Sequence, residues 1–84
     1  MAHYFFHLQD RSGRTEDQLG REIADFNEAR RRAIKAARAI IRADVDGGIV
    51  DLTARIEVTD AAGKLVLRLA FHEAVELIAG PGDL

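Results

Sequence analysis

The chain contains no cysteine and no tryptophan, and a single proline, among 84 residues. Without thiols it has no disulfide framework, no zinc–thiolate centre and no cysteine nucleophile, a composition compatible with an intracellular setting. Serine is almost missing too. Ser12 is the sole one and lies outside any G-x-S-x-G context, so it offers no nucleophile elbow. No apolar run approaches about 18 residues, so no membrane-spanning helix is expected. The opening MAHYFFHLQD reads as a strand and not as a signal peptide, for it lacks a basic start and a cleavage region. A net charge of −2 gives no global attraction to nucleic acid.

What is present is one long helical pattern, Asp25 to Asp46, around which the rest is organised. On a wheel of about 100° per residue, Ala29, Ala33, Ala36, Ala37, Ile40 and Ile41 fall on one broad side, the apolar stripe of a helix laid on a sheet. Asp25 is the expected N-cap, with Glu28 three residues on. Gly47 and Gly48 mark the end, since glycine takes the left-handed conformation without a Cβ clash. The opposite face is basic. Arg31, Lys35, Arg38 and Arg42 form a narrow stripe flanked by Arg30 and Arg32. Phe26 to Ala43 holds six bases and one acid, Glu28, leaving six bases against thirteen acids elsewhere. Helix propensity did not demand this, because Glu would serve as well.

Before the helix, residues 3–9 alternate. Tyr4, Phe6 and Leu8 are expected inward, with His3, Phe5, His7 and Gln9 on the other face. Asp10 to Gly13 reads as a turn. The polar run Arg14–Leu19 has Leu19 as its only large apolar anchor, and Arg21–Ala24 reads as a brief strand pairing with the first. After the helix, Arg55–Thr59 and Lys64–Phe71 flank Asp60-Ala-Ala-Gly63, the strongest hairpin signal in the chain. Alternation puts Leu65, Leu67, Leu69 and Phe71 on one face and Lys64, Val66, Arg68 and Ala70 on the other. Residues 72–79 read as two helical turns burying Val75 and Ile78, stopped by Gly80-Pro81-Gly82.

The expectation is one α+β domain over residues 1–84: a small antiparallel sheet of three or four strands, one long helix on one face, order β-(β)-α-β-β-(short α). The other sheet face would stay open, and Phe5, Val66 and Ala70 would project from it as a candidate homodimer interface.

Several segments together carry a family resemblance. They are H-Y-F-F-H-L at 3–8, D-x-x-G at Asp10–Gly13 and Glu16-Asp17-x-x-Gly20-x-Glu22. The helix with its spaced alanines and I-x-V-x-D-x-x-G from Ile56 to Gly63, followed by Phe71, complete the set. Over nearly its whole length the chain resembles a group of short, single-domain proteins of unknown function from alpha-proteobacteria. That pattern usually opens with a basic residue where this chain has His3. The resemblance implies a stand-alone bacterial domain in the cytoplasm and supplies no catalytic residue, cofactor or partner.

No catalytic site is expected. Glu16, Asp17 and Glu22 read as solvated loop acids, and the glycines make no phosphate-binding motif. No metal site is expected either. His3 and His7 share a strand face about 13 Å apart, and His72 with Glu76 supplies two ligands where a site wants three or four. The functional expectation is a small non-enzymatic protein-interaction or regulatory domain without a cofactor, self-associating or bound to another protein. The partner-binding residues would be Arg31, Lys35, Arg38 and Arg42. The alternative is a nucleic-acid-associated protein holding phosphates with the same four side chains, although the chain carries no recognised nucleic-acid-binding motif.

Overall fold

The structure, a computed structural model, describes residues 1–78. Five strands and two helices follow in order: β1 (Ala2–Asp10), β2 (Gly13–Thr15), β3 (Arg21–Ile23), α1 (Phe26–Gly47), β4 (Arg55–Thr59), β5 (Leu65–Ala70) and α2 (Phe71–Ala74). This is the expected α+β architecture with one strand more.

β1 is the central scaffold. One of its edges pairs antiparallel with β4, matching Phe6 to Val58 and Leu8 to Ile56. Its other edge is shared: β3 pairs with residues 2–4 and β2 with residues 8–10. β5 completes the sheet beside β4. Every pairing is antiparallel, and short turns join β1 to β2 and β4 to β5.

α1 begins where Asp25 accepts the Glu28 N–H at 2.8 Å and ends at Gly48, whose φ of 84° only glycine adopts freely. Ala29, Ala33 and Ala37 are fully buried at successive i, i+4 positions, so the helix backbone sits close against the sheet. Ala33 and Ala37 join Ile56, Val58, Leu69 and Phe71 in one cluster, against which Tyr4, Phe6, Leu8, Ile34, Ile40 and Ile41 pack. The alternation read from β1 is the one observed.

Three local expectations are corrected. The first concerns β5. Thr59 pairs with Leu65, but Val58 pairs with Leu67, so Val66 is an extra residue in a β-bulge. The bulge keeps Leu67 and Leu69 on the helix side and also turns Val66 toward the core cluster. Leu65 shares Thr59's face instead and is 42% exposed.

The second correction concerns α2, which is one turn, Phe71–Ala74, and not a helix over 72–79. Phe71 and Ala74 are its buried pair, Val75 is already extended and Ile78 is 89% exposed. A single turn has little stability of its own. This one is held because Glu73 accepts the Ala70 N–H at 2.9 Å and Arg38 Nε donates to the Ala74 carbonyl at 2.7 Å. The expected stop at Gly80-Pro81-Gly82 lies outside the described residues.

The third is Leu19, which anchors nothing and is 86% exposed. Residues 13–23 form a strap along the β1 edge, held by polar bonds. Asp17 accepts the N–H groups of Phe6 (3.0 Å), Leu19 (3.2 Å) and Gly20 (3.0 Å). Burial raises the Asp17 pKa, but these amides outweigh it and leave the carboxyl below its ordinary value.

Candidate interaction surfaces

The outward face of α1 carries the basic stripe in water, as its wheel position requires, but the six cations are not equivalent. Arg31 and Arg32 both close on Glu28, at 2.6 Å and 3.0 Å. The Arg31 guanidinium, with Arg32 beside it, holds the Glu28 carboxyl below its usual value. Arg38 is the side chain that caps α2. Among the described residues, Arg30, Lys35 and Arg42 have no hydrogen-bond or ion-pair partner, and all three are exposed. Arg30 therefore stands in solvent.

Two shallow grooves border this stripe, each with a volume of about 410 Å³. One runs along the stripe itself, between Arg31, Ile34, Lys35, Arg38 and Arg42. The other lies between α1 and the strap. Phe6, Ala36 and Ala39 give it apolar walls, and Arg21, Arg32, Lys35 and Asp17 surround them. Lys35 borders both.

The sheet face turned away from α1 carries a polar network. Glu57, only 7% exposed, accepts from Arg14 Nη1 (2.5 Å), Arg55 Nε (3.0 Å) and Arg68 Nε (3.1 Å). The Arg14 guanidinium first, then Arg55 and Arg68, draw its pKa down to about 2. Beside it His7, 6% exposed, has Nε2 3.0 Å from Thr59 Oγ1 and Nδ1 2.9 Å from Glu16 Oε2. Phe5 stacks parallel to the His7 ring, with centroids 6.3 Å apart. Carboxylate, imidazole and hydroxyl in that order are the parts of a nucleophile relay. Here, however, the Asp17 N–H also meets Nδ1, at 3.1 Å, so that nitrogen is engaged by the strap. The network fastens strap to sheet.

Of the three residues expected on a dimer face, Phe5 and Ala70 belong to this side of the sheet. Val66 is carried to the other side by the bulge. The His72–Glu76 pairing loses its helical spacing because α2 ends at Ala74. Among the described residues no three His, Asp or Glu side chains converge as metal ligands, and no helix is long and apolar enough to cross a membrane.

Residues 3–72 match the family model described as "Domain of unknown function (DUF6894)". The chain belongs to this family. Neither a curated protein nor a solved structure matches it. In this DUF6894 domain the segments that carried the resemblance have structural duties. Asp17 pins the strap to β1, Gly20 passes close to it, Asp25 caps α1 and Asp60 builds the hairpin turn. Sequence reasoning missed the Glu57 cluster and the groove walled by Phe6, Ala36 and Ala39. The first was within reach, since Arg55 and Glu57 share a strand face. The second needed the strap's position.

Proposed function

We propose that this DUF6894 domain is a non-enzymatic interaction module that docks an acidic protein surface on the outward face of α1. The observation that supports this is the state of Lys35, Arg42 and Arg30, which project from a sheet-backed helix with no acid partner among the described residues. Phe26–Ala43 has net charge +5, against −7 for the rest of the chain. Such an asymmetry steers an acidic partner to one face while the whole molecule stays weakly anionic. The overall sign disfavours a long polyanion, and the sheet behind α1 limits how many side chains reach base edges, so nucleic acid is the lesser reading. The setting we assign is the cytoplasm, on the strength of the family resemblance.

The test uses charges that hold nothing inside the fold. Lys35→Glu with Arg42→Glu leaves the Glu28 pairs and the α2 cap intact, whereas reversing Arg31 or Arg38 would not. The wild type should bind acidic peptides with an affinity that falls as salt rises from about 50 mM, and the double variant should lose that binding. Binding that survives the reversal removes the proposal. Tight, salt-steep binding to duplex DNA in place of peptide would favour the nucleic-acid reading.

Self-association is a second reading. It is favoured by the sheet face that no helix among the described residues covers, where Phe5, Ala70 and Leu65 offer apolar surface beside β5, whose one strand partner among those residues is β4. Sedimentation at increasing concentration decides it, and a mass that stays monomeric would eliminate it.

A further inference from the structure

We infer that the groove between α1 and the strap receives an apolar side chain of the docked partner, so that the recognised element is an acidic segment with an apolar anchor. This rests on the docking reading above and specifies what that face selects.

The groove exists because two adjoining helix positions are alanine. Ala36 is half-buried and Ala39 exposed, and with side chains that stop at Cβ they leave the flank of Phe6 uncovered. Around these apolar walls stand three cations. Arg32 and Lys35 are three residues apart on α1, hence neighbours on its surface. Arg21 faces them from β3, where it pairs with Tyr4. Arg21 and Lys35 have no acid partner among the described residues, and Arg32 gives only its Nε to Glu28. Asp17 is the one acid among the described residues of the lining, and its oxygens accept from three backbone N–H groups. A ligand therefore meets an apolar strip with positive charge on both sides.

That pairing fits a large apolar side chain flanked by carboxylates. At about 410 Å³ the groove is at the small end for ligand sites, and it opens to solvent. Such a recess accommodates a side chain presented by a partner better than a free molecule that must be mostly enclosed.

The probes are two fluorescent peptides of equal charge, Glu-Glu-Leu-Phe-Glu-Glu and Glu-Glu-Ser-Ser-Glu-Glu, titrated by polarisation at about 50 mM salt. Burial of one large apolar side chain should make the Leu-Phe peptide bind at least about tenfold tighter. Ala39→Gln places an amide across the groove on an exposed helix position. It should reduce that preference below about twofold and leave the Ser-Ser peptide unaffected. Equal binding of both peptides to the wild type would overturn the groove inference and leave the docking face standing. A preference that persists in Ala39→Gln would place the anchor elsewhere and overturn it too. Binding of neither peptide would overturn the docking reading itself.

Discussion

Arg68 lies directly across the β4–β5 ladder from Glu57, with its Nε 3.1 Å from Oε2, and the bulge at Val66 puts it there. Had the Thr59–Leu65 register continued unbroken, Leu67 would stand opposite Glu57 and Arg68 opposite Ile56. One extra residue thus sends the cation to the carboxylate and two leucines to the core. Glu57 is nearly buried, and its carboxyl drops from 4.5 to about 2 in the fold. As the pH falls the unfolded chain protonates first. This stabilisation is complete above about 4.5 and is lost progressively toward about 2; it amounts to at most about 3 kcal/mol. Glu57→Gln should lower stability by about 2–3 kcal/mol at neutral pH and flatten the acid limb of a denaturant-midpoint profile. A variant that melts within about 2 °C of the wild type would show that the cluster contributes no net stability.

Gly20 should tolerate no side chain. Its φ is +62°, and a Cβ there would lie 2.7 Å from both His3 Nε2 and the Tyr4 carbonyl and 2.8 Å from Phe5 Cδ2. The carbonyl and the ring are held in the sheet, so the strap itself must move. Gly20→Ala should cost about 2–3 kcal/mol. Gly63→Ala provides the control: φ is +83° but nothing lies within 4 Å of the new atom. Only backbone strain of about 1 kcal/mol is expected there. Equal losses in the two variants, measured by urea unfolding, would refute the close approach.

His3 closes the strap's far end in a pH-dependent way. Nε2 is 2.8 Å from the Leu19 carbonyl and Nδ1 2.8 Å from Glu22 Oε1, so both nitrogens face acceptors and the doubly protonated ring satisfies both. The Leu19 carbonyl first, then Glu22, raise its pKa above the ordinary 6.5. The contribution is fully present below 6.5 and is lost as the pH rises through the higher folded value. Amide exchange at residues 19–22, corrected for its intrinsic pH dependence, should lose protection across that window. In His3→Ala it should be low and flat throughout. A wild type showing no step would refute the clamp.

These three sites lie where the sequence was not legible, whereas the helix and the second hairpin lie where it was. Asp25, Gly48 and the i, i+4 alanines are local signals with local causes, and each stands where the pattern puts it. The Asp60–Gly63 turn is equally local: Asp60 Oδ1 accepts the Ala62 and Lys64 N–H groups within four residues. The bulge was not legible, because Val66 is an ordinary strand residue and only the competition between Leu67 and Arg68 for the core selects it. The strap was not legible either. Its anchors join side chains to backbone across ten to sixteen residues, as in Asp17 to Phe6 and His3 to Leu19, and carry no periodicity. For the same reason the stripe on α1 could be read, but not which of its cations are already bonded.

His7 presents the last relationship open to measurement, because two neighbours make opposite demands on one atom. Asp17 N–H donates to Nδ1 at 3.1 Å, which requires a lone pair there. Glu16 Oε2 lies 2.9 Å from the same Nδ1, which requires a proton. With a neutral ring protonated at Nε2, that N–H donates to Thr59 and Nδ1 accepts from Asp17, leaving Glu16 against a lone pair. With a proton on Nδ1 instead, Nδ1–H turns to Glu16 and the Asp17 amide loses its acceptor. The charged groups around the ring are Arg14 and Glu16 on the strap side and Glu57 and Asp60 across the face. The Asp17 carboxylate still holds Phe6, Leu19 and Gly20, so the exchange should reorient one peptide and one side chain without opening the strap. A ¹⁵N NMR spectrum should therefore pair an unprotonated His7 Nδ1 with a hydrogen-bonded Asp17 amide, while the Leu19 and Gly20 amides stay bonded to the Asp17 carboxylate in either arrangement. A protonated Nδ1 found together with a hydrogen-bonded Asp17 amide would refute the competition between Glu16 and the backbone for that atom.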